Sequence, residues 1–92
     1  MSPKIISIKK RKEFLDVRNN NTNISSSFLI INYKPNNLIE TFRVGLTVSK
    51  KHGVAVKRNY IKRIIRSLII KNYDSMPFKY DFEIIPKKNF SS

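Results

Sequence analysis

Two periodicities organise this chain. Ile61, Ile64, Ile65, Leu68 and Ile69 recur at i, i+3, i+4, i+7 and i+8, the spacing of a helix with one buried stripe, and predict a helix within residues 54–71. Upstream, Thr41–Ser49 alternates: Phe42, Val44, Leu46 and Val48 point one way, Arg43, Gly45, Thr47 and Ser49 the other. That is the pattern of a strand with one buried face, and Gly45 on its open face leaves room for a close neighbour.

The weaker signals fill in the rest. Phe28–Tyr33 is a continuous apolar run rich in Ile and predicts a strand on which Ile31 and Tyr33 share a face. Tyr80–Ile85 predicts a last strand, halted by Pro86. Lys9–Arg18 can form a short helix with Phe14 and Val17 as its apolar contacts. Residues 1–8 read as loose, 19–27 as a loop, 34–37, 50–53 and 72–77 as turns, and 89–92 as a tail. The order helix, strand, strand, helix, strand implies an α+β fold, a small mixed sheet with helices, in one domain spanning 1–92.

Charge decides which partner such a fold would suit. With 19 Lys+Arg against 6 Asp+Glu, the formal charge is +13 on 92 residues, a strong self-repulsion unless a polyanion neutralises it. On the predicted basic helix, Arg58, Asn59, Lys62, Arg63 and Arg66 gather on an arc away from the apolar stripe, and no acid falls among them. A merely solvated face mixes signs, so that Glu and Lys pair four residues apart. This face is uniformly cationic and rich in Arg, whose planar fork suits phosphate oxygens. Lys50, Lys51 and Lys57 extend it, whereas Lys9, Lys10, Arg11 and Lys12 fit a diffuse basic arm as well as a defined site.

Other classes of function lack their residues. Cysteine is absent, which excludes disulfides and thiolate metal sites and fits a reducing, cytoplasmic setting. No apolar run has signal-peptide or membrane-spanning length. Glu13, Asp16, Glu40, Asp74, Asp81 and Glu83 are scattered, and His52 stands alone as a turn residue. No acid–base pair or metal-holding carboxylate cluster is visible, so no catalytic residue, metal ligand or small-molecule site is assigned.

The segment from Phe42 to Arg66 resembles the protein subunit of bacterial ribonuclease P. The likeness rests on Arg43-Val44-Gly45, then Ser49-Lys50-Lys51, then Arg58-Asn59, Lys62-Arg63 and Arg66, in that order over about twenty-five residues. Flanking parts agree, from Phe14 on a basic first helix to the Ile-Ile-Pro-Lys-Lys end of the last strand. There are three departures. Tyr60 replaces the second Arg of the family's Arg-Asn-Arg signature, and Arg18 stands where relatives often carry a second aromatic. The chain also ends soon after the last strand, where the family usually continues into a C-terminal helix.

The resemblance implies a left-handed βαβ crossover around the basic helix and an accessory role beside a catalytic RNA. By the same likeness, Lys50, Lys51, Lys57, Arg58, Asn59, Lys62, Arg63 and Arg66 would bind that RNA. Phe14, Tyr33, Arg43, Thr47 and Ser49 would line a cleft between the first helix and the open sheet face, taking the 5′ leader of precursor tRNA. Magnesium for cleavage would be held by the RNA. From the residues alone, Phe14 on a short amphipathic helix reads as core more readily than as a stacking platform, and Thr47 and Ser49 read equally well as ordinary strand polarity. The alternatives are a small ribosomal or other structural RNA-binding protein, a stand-alone ribonuclease, and a cationic helix lying on a membrane surface.

Overall fold

The structure is a computed structural model that describes residues 5–20 and 22–91. In chain order its elements are β1 (Ile6–Ser7), α1 (Arg11–Asn19), β2 (Asn23–Ser25), β3 (Leu29–Pro35), β4 (Phe42–Leu46), α2 (Ala55–Lys71) and β5 (Tyr80–Pro86). Single turns of 3-10 helix lie at Lys50–His52, Tyr73–Ser75 and Lys88–Ser91. The strands form one mixed sheet in the order β1-β4-β5-β3-β2. β1, β4 and β5 run parallel, and β3 and β2 add on antiparallel. Because β4 and β5 are parallel neighbours, the chain must cross between their ends, and α2 is that crossover.

Register decides which residues meet. Val44 lies opposite Phe82 and Leu46 opposite Ile84, so Phe42, Val44, Phe82 and Ile84 project from one sheet face. Against it α2 buries Ile61, Ile65 and Ile69, four residues apart, to make the core. Each such side chain taken fully from water contributes roughly 1.5–3 kcal/mol. On the opposite face, Arg43 faces Asp81, Gly45 faces Glu83, and Glu83 faces Asn32. That face is polar, and α1 packs over it with Val17 buried.

Several expectations change. Ile6–Ser7 pairs with β4 and Ile8 is buried, so residues 5–8 are not loose; residues 1–4 lie outside the described set. The segment read as a loop contains β2, which pairs with β3. Strands this short borrow their conformation from the neighbour they bond to, which leaves little trace in periodicity. Phe90, read as tail, packs against the core from the last 3-10 turn. His52 is buried, and its Nε2 lies 3.1 Å from the Pro86 carbonyl oxygen, so it ties the turn after β4 to the end of β5. Leu68 is the misfit of the apolar stripe: it is 45% exposed, on the rim of an apolar groove of about 290 Å³ shared with Ile24, Leu29 and Met76.

Candidate nucleic-acid interface

The basic helix keeps its cations free of protein partners. Among the described residues, no carboxylate forms an ion pair with Lys57, Arg58, Lys62, Arg63 or Arg66. The first turn of α2 contains no acid, and its N-cap, Val54, contributes no side-chain hydrogen bond. The positive end of the helix dipole therefore adds to the basic side chains beside it. Arg58 Nε is covered yet makes no hydrogen bond, a donor left without an acceptor at the edge of the basic arc.

The acids are engaged elsewhere. Arg43 sits between two carboxylates: Nε and Nη2 donate to Asp81 at 2.8 and 2.7 Å, and Nη1 donates to Glu13 at 2.7 Å. The hydrogen bonds it donates to Asp81, backed by the one to Glu13, hold the guanidinium well above its ordinary pKa. Burial pushes the Asp81 carboxyl up, but hydrogen bonds from Arg43 and Asn36 and the Arg43 charge outweigh it, and the group stays below its usual range.

Glu83 is fully covered and accepts from three residues. Arg18 donates through Nε at 3.2 Å and Nη2 at 2.6 Å, Asn32 Nδ2 at 2.9 Å and Thr47 Oγ1 at 2.7 Å. Burial again pushes the carboxyl up, and these donors, with the Arg18 charge, bring it below its usual value. This satisfied carboxylate binds α1 to three neighbouring strand segments.

Phe14 belongs to the same contact surface. A Cβ placed on Gly45 would fall 2.3 Å from Phe14 Cε1, so the ring rests directly on the β4 backbone. The space between α1 and the polar sheet face is thus filled at Gly45 and Glu83. The open space lies beside it, as two adjoining cavities of about 280 and 420 Å³ where α1 and α2 flank the end of β4. Phe14, Leu46 and Lys62 line both; Arg66 joins one, and Arg11, Arg18 and Thr47 the other.

The sequence-predicted residues therefore separate into groups. Lys62 and Arg66 leave the rest of the basic arc and face the groove alongside Phe14 and Thr47. Arg43 has its guanidinium bonds taken by Asp81 and Glu13 and does not line the groove. Ser49 lies with Lys51 and His52 in a separate pocket near Lys87. Tyr33 is on the wrong side: it pairs with Phe82, contacts the core, and sets its ring 6.1 Å from that of Tyr80. It cannot share a cleft with Phe14, because the sheet lies between them. Arg18 and Glu83 were missed, although a carboxylate within the apolar run Phe82-Glu83-Ile84-Ile85 is itself a sign of a buried pair.

Among the described residues there is no group of three or more His, Asp or Glu placed to hold a metal ion, and no helix is long and apolar enough to cross a membrane.

Comparison with known proteins gives this geometry a family. The ribonuclease P protein from Staphylococcus aureus superposes with a TM-score of 0.84 at 32% identity, covering 95% of this chain and 79% of that one. The corresponding protein from Thermotoga maritima gives 0.84 at 26% identity, covering 92% and 76%. The ribonuclease P protein component of Mycoplasmopsis pulmonis is 37% identical over 87 residues, 95% of this chain and 76% of that protein. That of Chlamydia caviae is 39% identical over 75 residues, and the match spans only 54% of its length. The sequence model of the family described as Ribonuclease P matches residues 2–92, and the chain belongs to the family of ribonuclease P protein components.

Proposed function

We propose that the protein is the accessory subunit of a ribonuclease P holoenzyme, in which an RNA performs the cleavage that removes the 5′ leader of precursor tRNA. The exposed side of α2, with Lys57, Arg58, Asn59 and Arg63, binds the catalytic RNA, and Lys50 and Lys51 extend that surface from the preceding turn. Phosphate contacts of this kind position the two partners without reading sequence. The edge groove takes the leader: Phe14 offers a ring for a base, and Lys62 and Arg66 neutralise the backbone beside it. Magnesium ions act at the cleavage site, held by RNA oxygens. The observation that carries the reading is the arc of α2 cations without carboxylate partners, in a chain of this family.

The test is reconstitution. Precursor tRNA is incubated with the cognate RNA at low magnesium, with and without the protein, and with the protein alone. Correct 5′ processing that needs the RNA and is stimulated by the protein supports the reading. Cleavage by the RNA-free protein, or co-purification with ribosomes in place of the catalytic RNA, would overturn it.

A further inference from the structure

We infer that Tyr60, standing where the family's signature carries its second Arg, is a stacking platform for one unpaired base of the catalytic RNA. The inference rests on the RNA-binding role proposed for α2. It adds to that surface a contact made to a base, where the cations beside it reach phosphate.

On a helix, residues three and four positions away are surface neighbours. For Tyr60 these are Val56 and Lys57 toward the start of α2, and Arg63 and Ile64 toward its end. The ring thus has an apolar side chain and a cation next to it in each direction along the helix. Neither cation has a carboxylate partner among the described residues. Ile61, Ile65 and Ile69 hold the buried arc, so Tyr60 faces outward; it is 55% exposed, and Val56 is 80% exposed. Among the described residues the ring pairs with no other aromatic ring, and the hydroxyl makes no hydrogen bond.

A solvated face has no use for Tyr60 and Val56 side by side in water. Single-stranded RNA does: exposed aromatic rings carry its bases while neighbouring cations follow its backbone. Bases inside an A-form helix are already stacked on one another, so the base on Tyr60 comes from a loop, a bulge or a strand end. Arg at this position would add a charge. Tyr gives up that charge for a ring, so affinity at this point no longer depends on salt.

Two competing roles are a hydroxyl that donates to a phosphate and an idle surface residue. Tyr60→Phe, Tyr60→Ala, Tyr60→Arg and Arg63→Ala separate them. The core stripe is untouched in all four, and melting curves check that each folds. Each is then titrated with the catalytic RNA alone at several salt concentrations.

Tyr60→Phe should bind as the parent protein does. Tyr60→Ala should bind roughly tenfold more weakly at every salt concentration, with the log–log salt slope unchanged. Tyr60→Arg should steepen that slope by about 0.7–0.9, the signature of one added phosphate contact. If Tyr60→Phe loses as much as Tyr60→Ala, the hydroxyl holds a phosphate and the inference is overturned. It is overturned too if Tyr60→Ala binds like the parent while Arg63→Ala is weakened. If Arg63→Ala also binds unchanged, the RNA-binding reading of α2 fails first.

Discussion

Phe14 and Gly45 compete for one volume. The ring of Phe14 lies where a side chain on residue 45 would begin, with Cε1 and Cζ 2.3 and 2.5 Å from the position of such a Cβ. α1 can settle onto β4 only because position 45 carries no side chain. The contact also fixes the ring at the mouth of the groove, supported from below by backbone.

Gly45→Ala should therefore destabilise the fold by about 1–3 kcal/mol, the usual cost of forcing a carbon into a filled site. Phe14→Ala vacates the same volume, so the double variant should be more stable than the sum of the two single losses. Denaturant unfolding of all four proteins gives the coupling, and an additive cycle would show that the two sites are independent.

Asp81 and Glu83 set the acid limit of stability. Both have folded-state pKa values below their unfolded ones, so their pairs contribute stability that is full above the unfolded values, about 4, and is lost as pH falls through the folded ones. Urea unfolding between neutral pH and about pH 3 should show this loss, and Glu83→Gln should flatten it. Arg18→Ala leaves a covered carboxylate without its cation. It should cost about 3 kcal/mol at neutral pH, at the lower end for a broken buried pair because Arg18 is half in water.

Arg58→Ala and Arg63→Ala should weaken binding to the catalytic RNA with little change in stability, since the core stripe Ile61, Ile65 and Ile69 is untouched. Each lost phosphate contact should reduce the log–log salt slope by about 0.9 on duplex-like RNA. Ile61→Ala should do the reverse and cost about 2–5 kcal/mol of folding free energy. Salt titrations and melting curves on the same variants separate the two effects.

Anions should stabilise the free protein. Sulfate or phosphate that binds only the folded basic face adds about 2.7 kcal/mol of folding free energy at a hundredfold excess over its dissociation constant, and so raises the melting temperature. Equal melting temperatures with sulfate and with chloride at matched ionic strength would contradict a clustered basic face.

The parts of the fold with a long period were legible. α2 and β4 each repeat their pattern often enough to fix both type and face, β5 was legible as a strand without a face, and the α2 cations followed from the helical arc. β3 was legible as a strand but not in phase. In Phe28–Tyr33 a single Asn32 beside Phe28 and Ile30 marks the polar side weakly, and pairing with β5 is what places Tyr33 opposite Phe82 and Asn32 opposite Glu83. Tyr33 was misplaced for that reason. The groove was illegible because it arises where two helices on opposite faces pass the end of one strand, a relation no local pattern encodes. Arg18 stood out only as a departure from the family's pattern, because its partner lies sixty-five residues away.

The sidedness of the carboxylates has a kinetic consequence. Asp81 and Glu83 project from the sheet face opposite α2, toward α1, which carries Glu13. Arg18 and Arg43 neutralise them in place, whereas the cations of α2 have no carboxylate partner among the described residues, so unpaired positive charge is concentrated along α2 and its N-terminal end and gives the molecule an electric dipole in addition to its net charge. In the field of an approaching RNA that dipole experiences a torque, and productive collisions arrive with α2 leading. Added salt shortens the range of that torque before it dissolves the final contacts. Association should thus slow with ionic strength more in this protein than in a variant of equal net charge whose acids are spread around the surface.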